Sequence, residues 1–326
     1  MSVEHFPVML DQVMEYFTPF PPAGRICDGT YGGGGHTARL LELCSQCTVT
    51  AIDADGEMIR RGRERWRDTE RLTLIHGWFD EVLPGLPPQD RVLLDVGVSM
   101  FHLREADRGF SLKEDGPLDM RLDVSGDGET AAELIGRIGE AELADVLYLY
   151  GEERYARRIA RAIIDERLTG IETTGKLADV VKGAVPPKYR HGRNHPATRT
   201  FQALRIAVND ELRRIERAVP AAANRLAPNG RLAVITFHSL EDRIVKHAFR
   251  RLAGRVGDAE QTPFVRHPAQ KGSTGGRRTP MYEEGGQFRL LTRKPVVPTE
   301  QEVASNPASR SAKLRVLECT TGETPE

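Results

Sequence analysis

Cysteine is scarce: Cys27, Cys44, Cys47 and Cys319 are the four in a chain of 326 residues. That is too few for a disulfide framework. Cys44-x-x-Cys47 has no second pair to complete a zinc site, and it closes a helical pattern where a redox motif would open one. All four are therefore read as reduced thiols. No His/Asp/Glu cluster has metal-ligand spacing, and no internal repeat is visible. No apolar run approaches the ~20 residues of a bilayer crossing. Residues 1–17 carry Glu4, Asp11 and Glu15 and no basic run, so no signal peptide is read there and the expected compartment is the cytoplasm.

Acids are missing locally as well. The net charge is only −1, yet residues 180–209 contain no Asp or Glu. That stretch holds Lys182, Lys188, Arg190, Arg193, Arg199 and Arg205, with His191 and His195. Residues 243–255 repeat the pattern with Lys246, Arg250 and Arg251, and Lys271, Arg277 and Arg278 lie in a Gly-rich stretch. Three such blocks are footprints for a nucleic-acid backbone, with Lys188, Arg190, Arg193 and Arg199 as the candidate phosphate contacts.

What is present is concentrated in Asp28-Gly29-Thr30-Tyr31-Gly32-Gly33-Gly34-Gly35-His36. It follows the apolar run Arg25-Ile26-Cys27 and precedes the helical pattern Thr37-Ala38-Arg39-Leu40-Leu41. A strand, a glycine turn and a helix start make a nucleotide-cofactor cradle. Asp53 ends the next strand pattern, Thr48-Val49-Thr50-Ala51-Ile52, where an acid can accept from ribose hydroxyls. The G-x-G-x-x-G spacing of a nicotinamide dinucleotide site is absent. An acid, Asp28, stands before the turn instead, which suits the ammonium and sulfonium of S-adenosylmethionine.

Strand and helix patterns alternate through the first ~110 residues, with further strands at Leu72-Thr73-Leu74-Ile75 and Arg91-Val92-Leu93-Leu94-Asp95-Val96. Short continuous apolar runs suit a parallel sheet covered on both faces. Strands then cease. Helical patterns occupy 130–138, 140–149, 153–168 and 175–183, and Pro196 opens a long helix to about Ala218. Strand character returns at Arg231-Leu232-Ala233-Val234-Ile235, after the turn Pro228-Asn229-Gly230. Runs at 288–292 and 313–317 can close the sheet as an antiparallel hairpin, and 256–286 reads as a loop. The expected fold is α/β, a doubly wound, mostly parallel sheet with a helical insertion. Its boundaries are 1–113 and 206–326 for the sheet domain and 114–205 for the insertion.

Several stretches resemble one family: 28–36, 94–99, Arg108-Gly109-Phe110-Ser111, 115–123, 195–211, 230–246 and Asn306-Pro307-Ala308-Ser309-Arg310-Ser311. They are similar to the bacterial methyltransferases that modify the N4 of a cytosine in 16S ribosomal RNA, over nearly the whole length. The segments His195-Pro196-Ala197-Thr198-Arg199-Thr200-Phe201-Gln202 and Thr236-Phe237-His238-Ser239-Leu240-Glu241-Asp242 carry it most specifically. The resemblance implies a class I S-adenosylmethionine fold and cofactor contacts at Gly34, Gly35, His36, Asp53, Phe79 and Asp95. It adds His102, where Ser99-Met100-Phe101-His102 replaces the family's Ser-Ser-Pro-Gln. It implies the small ribosomal subunit as partner, with the inserted helices recognising the RNA. The (Ser/Asn/Asp)-Pro-Pro-aromatic motif of DNA amino-methyltransferases is missing after Asp95. Candidates for the proton acceptor are thus Asp119, Asp115, His238 and Ser239. Competing readings are a nicotinamide-dependent dehydrogenase, a non-catalytic ribosome-assembly factor and a DNA amino-methyltransferase.

Overall fold

The computed structural model describes residues 7–190, 192, 195–255 and 287–320. These divide into two compact units. The first holds the described part of Met1–Gly97, Leu212–Phe264 and Thr279–Glu326, and the second is built from Val98–Glu211.

The first unit is a seven-stranded sheet in the order β3-β2-β1-β4-β5-β7-β6. The strands are β1 (Arg25–Asp28), β2 (Thr48–Asp53), β3 (Leu72–His76), β4 (Gln89–Asp95), β5 (Leu226–Thr236), β6 (Phe288–Leu290) and β7 (Lys313–Cys319). Pairing is parallel from β3 through β5. Only β7 runs against its neighbours β5 and β6. The strand order reverses between β1 and β4, and in such a sheet ligands bind outside the carboxyl ends at that point. Ile26, Val49, Leu93, Ala233, Ile235, Leu314 and Val316 form one buried face. Val13 and Phe17 of helix α1 (Leu10–Phe17) and Leu40 of α2 (Gly35–Leu43) cover it. Phe17 is fully buried, so truncating it to alanine should cost about 3–5 kcal/mol. Helix α3 (Gly56–Arg65) follows β2, and its N-cap Asp55 accepts from Glu57 N–H at 2.9 Å.

Two expectations for the sheet change. Pro228-Asn229-Gly230 is a bulge inside β5 rather than a turn before it. Asn229 takes φ 61°, and the β4–β5 register shifts between Gln89 and Arg91. The extra residues fit because Gly230 packs where a Cβ would lie 2.7 Å from the Ala227 carbonyl. Cys44 and Cys47 are joined as a disulfide, not reduced. The turn after α2 folds back so that Cys47 N–H donates to the Cys44 carbonyl, bringing the two Cα atoms to 5.4 Å, within bridging range.

The second unit is helical, and among its described residues the only β pairing is the bridge Pro117–Thr173. The region 114–205 of the sequence-based division lies inside it. The helix expected from Pro196 to about Ala218 is two helices, Thr198–Asn209 and Glu211–Ala223. Asp210 between them adopts a left-handed φ of 52°, a conformation short polar residues tolerate. Asn209, the last residue of the first helix, ties that helix end to a loop distant in sequence: its amide donates to the Met120 carbonyl and its oxygen accepts from Leu122 N–H, each at 2.8 Å. The predicted loop at 256–286 lies outside the described residues.

Candidate active site

The glycine turn is stitched to both neighbouring strands of β1. Gly29 N–H donates to the Leu93 carbonyl at 2.8 Å and Tyr31 N–H to the Ile52 carbonyl at 2.7 Å. Thr30 Oγ1 accepts from Asp95 N–H at 2.7 Å. A side chain is excluded at two points. A Cβ on Gly29 would come 2.4 Å from Leu94, and one on Gly34, at φ 73°, would strike the Tyr31 ring at 2.6 Å. Around Gly33, by contrast, a Cβ would meet nothing within 4 Å, so the turn presents bare backbone to open space. Tyr31 is locked by its neighbour, accepting from Trp66 Nε1–H at 3.1 Å.

Acids converge on this turn. Asp53 Oδ2 accepts from Gly32 N–H at 2.6 Å and Oδ1 from Asp55 N–H at 2.8 Å. A carboxylate has about four lone-pair sites, which leaves acceptor capacity. Asp28 is fully buried, holding the Thr37 hydroxyl at 2.7 Å and Thr30 N–H at 3.2 Å. Burial pushes its carboxyl up to about 7, against the pull of those two hydrogen bonds and with help from the Asp53 charge. Asp95 is raised well above the ordinary range, first by burial and then by the charges of Asp28 and Glu241. Its Oδ1 is buried with no hydrogen-bond partner. His36 Nε2 lies 3.1 Å from the Val8 carbonyl. A carbonyl only accepts, so that nitrogen carries the proton, and Nδ1 faces Asp95 Oδ2 at 3.8 Å. Phe79, half-buried, opens the one-turn helix Phe79–Val82 after β3.

The four proton-acceptor candidates fall apart on inspection. Asp119 is clamped by Arg121 through two hydrogen bonds of 2.8 Å. Burial works to raise its carboxyl, but the hydrogen bonds and charge of Arg121 win and leave it below the ordinary value. Asp115 accepts from Gly175 N–H at 2.7 Å, and that bond first of all holds it low. Both are weak bases occupied with structure. His238 is the N-cap of helix Ser239–Leu252: Nδ1 accepts from Glu241 N–H at 3.4 Å, and Glu241 Oε2 accepts from Phe237 N–H and His238 N–H. Ser239 is the exposed first residue of that helix. In the second unit, His102 is buried between Phe101 and Phe110, with ring centroids 6.0 and 5.4 Å away.

Among the phosphate candidates, Arg190 donates to the Val185 and Gly183 carbonyls and Arg199 to that of Glu152. These bonds fix the guanidinium groups without neutralising them. Lys188 is exposed on the short helix Pro187–Arg190. Arg193 lies outside the described residues, as do Lys271, Arg277 and Arg278. The role of Glu241, buried beside the acids, escaped sequence reasoning. So did the bracing by Thr30, Thr37 and Tyr31.

The model of the MraW methylase family matches residues 2–320. The chain belongs to that family. Three relatives called ribosomal RNA small subunit methyltransferase H are similar over more than nine tenths of their own length. The Gluconobacter oxydans protein is 47% identical, covering 97% of this chain and 93% of its own. That of Granulibacter bethesdensis is 46% identical, with 98% and 92% covered. That of Treponema denticola is 43% identical, with 97% and 98% covered. Among solved structures, a putative rRNA methylase from Clostridium thermocellum covers 97% of this chain at 11% identity and a TM-score of 0.42.

The methyl donor of MraW-family enzymes is S-adenosylmethionine, and the residues present fit it. Buried acids that raise one another's pKa need a cation, which an ammonium and a sulfonium provide. Asp95 Oδ1 lacks a donor, and the bare backbone at Gly33 leaves room for a ligand. Among the described residues no group of His, Cys, Asp and Glu could hold a metal ion, and no helix is long and apolar enough to cross a membrane.

Proposed function

We propose that this chain transfers a methyl group from S-adenosylmethionine to the exocyclic N4 of one cytidine in 16S ribosomal RNA of the small ribosomal subunit. The observation that carries the reading is the cluster of buried Asp28 and Glu241 with half-buried Asp95 around a stitched glycine turn, in a chain of the MraW family. A dehydrogenase has no use for such acids. A scaffold without catalysis has no reason to keep them buried.

The cofactor supplies an electrophilic methyl group on a positively charged sulfur. The chain supplies position and charge. Asp95 and Asp28 face the cationic end, and Asp53 accepts from the ribose. Phe79 offers a ring face to the adenine, and the Gly34, Gly35 and His36 backbone borders the amino-acid end. His102 of the second unit is a further cofactor contact in this reading. The N4 amine is a poor nucleophile, its lone pair delocalised into the ring. Alignment is therefore the main contribution, and near-attack positioning is worth roughly 7–11 kcal/mol. Lys188, Arg190, Arg193 and Arg199 hold RNA phosphates, and the helical region 114–205 recognises an unstacked cytidine. A ribosomal RNA substrate supports the cytoplasm as the compartment in this reading. The deciding experiment is mass spectrometry of nucleosides from small-subunit RNA incubated with the protein and cofactor. N4-methylcytidine appearing at one site is expected. Its absence from RNA, small subunits and whole ribosomes alike would defeat the reading.

A further inference from the structure

The cofactor site uses none of the acid-free basic run at 243–255. In the first unit, Lys246, Arg250 and Arg255 meet Arg293, from the turn after β6, and Arg315 of β7, around a cavity of about 300 Å³. No acid lines it among the described residues. The nearby acids are already engaged. Asp242 accepts from Arg315 Nε at 2.7 Å and from Lys313 at 3.4 Å. Glu318 is held by Arg231 at 2.8 Å and by Arg289. Arg315 is therefore matched within the fold, while Lys246, Arg255 and Arg293 add positive charge that no lining acid offsets. Cations that repel one another around a cavity make an anion site. Leu290, Phe249 and Thr292 complete the lining, and the Thr292 hydroxyl accepts from Val316 N–H at 2.9 Å. A lining that combines several cations with two apolar side chains suits a sugar–phosphate backbone better than a bare inorganic ion.

We propose that this cavity is a second docking site for the phosphate backbone of the substrate RNA, additional to the basic run of the second unit. The proposal rests on the reading that the substrate is RNA. Phosphate contacts of this kind fix a strand's register without touching the base that reacts.

The test uses the full chain carrying Lys246→Ala, Arg255→Ala and Arg293→Ala together. Binding to small-subunit ribosomal RNA is followed by fluorescence anisotropy over a range of salt. With about 0.7–0.9 counterion released per phosphate contact, the slope of log affinity against log salt should fall by about two. The KM for RNA should rise about tenfold, while kcat at saturating RNA and cofactor affinity by calorimetry stay at the parent values. The charge-keeping variant Lys246→Arg, Arg255→Lys, Arg293→Lys should restore most of the slope. In the unaltered protein, bound RNA should protect Arg255 and Arg293 from phenylglyoxal, a readout that needs no variant to fold. An unchanged slope in a cofactor-binding variant, or no protection in the parent, overturns the docking site. Methyl transfer by the parent in either case leaves the proposed function standing. Conversely, protection and a reduced slope without any methyl transfer would uphold the docking site and sink the proposed function.

Discussion

Cofactor binding should release protons, and the pH dependence can be worked out from the buried acids. Asp28 has its carboxyl pushed up to about 7, chiefly by burial. Asp95 is also raised well above its ordinary range, first by burial and then by the charges of Asp28 and Glu241. Near neutral pH the empty site thus holds roughly half a proton on Asp28. A cation about 5 Å from a carboxylate attracts it by about 3 kcal/mol at an effective dielectric near 20, a downward shift of about 2 pKa units. For Asp28, a fall from about 7 to about 5 means about 0.8 proton released on binding at pH 6. Affinity should rise about 25-fold from pH 5 to pH 7 on account of Asp28 alone. Above that range the cofactor's own amine titrates and confuses the reading.

The sign for stability is the reverse. The raised carboxyl lets the folded chain bind the proton more tightly than the unfolded one. Stability without cofactor is then fully present below about pH 4 and falls as pH rises toward 7, by up to about 4 kcal/mol for Asp28. Cofactor-induced thermal stabilisation should therefore grow with pH over the same window. The assay is isothermal calorimetry at pH 6 in buffers of differing ionisation enthalpy, where the slope counts protons. S-adenosylhomocysteine, lacking the sulfonium charge, should release fewer. No net proton release at pH 6, or affinity that falls as pH rises, would refute the assignment of these acids to a cationic ligand.

Asp53→Ala should weaken cofactor binding by about 1.5–3 kcal/mol, because the ribose hydroxyls lose a charged acceptor; calorimetry giving the parent affinity would remove Asp53 from the site. His238→Ala should cost about 1 kcal/mol of stability through loss of the helix cap, and His238→Asn, which keeps an acceptor, should restore both melting temperature and turnover. A folded His238→Asn variant with collapsed kcat would instead make the imidazole the proton acceptor. Cys27→Ala should leave product formation intact. The thiol is fully buried in β1 and driven far above its usual pKa by burial and then by Asp28, so it cannot supply the thiolate that attack through ring C5 requires. Nucleoside mass spectrometry showing 5-methylcytidine in the parent, lost in the variant, would contradict direct transfer to N4.

The sheet and the cofactor turn were legible because their signals are local. Parallel strands buried on both faces are short apolar runs, and a turn that must bring backbone to a ligand is written in glycine. The strand-end placement of Asp28, Asp53 and Asp95 was readable for the same reason: each closes a short apolar run, and strand ends of a parallel sheet share one edge. Features set by distant partners were not. The apolar period runs on through 198–223, yet the helix breaks at Asp210. At that break the Asn209 side chain is bonded to the backbone of Met120 and Leu122, and nothing beside Asn209 in sequence announces that loop. The pairing of Cys44 with Cys47 depends on how tightly the chain turns after Leu43, which spacing alone does not fix.

The candidate bases show the same limit from the chemical side. By residue type, Asp115, Asp119 and His238 each qualify as a proton acceptor. The structure separates type from availability: Asp115 caps a helix start, Asp119 is forked to Arg121, and His238 closes a capping box with Glu241. The two carboxyls end below their ordinary values, the opposite of what a base working near neutral pH needs. The acids that do stand perturbed upward, Asp28 and Asp95, are those facing the glycine turn. Burial without a compensating cation was tolerated there and nowhere else among these candidates. That asymmetry locates the strain at the cofactor end of the site. It also fits a reaction in which the electrophile supplies the driving force and the protein's main task is to hold it in line.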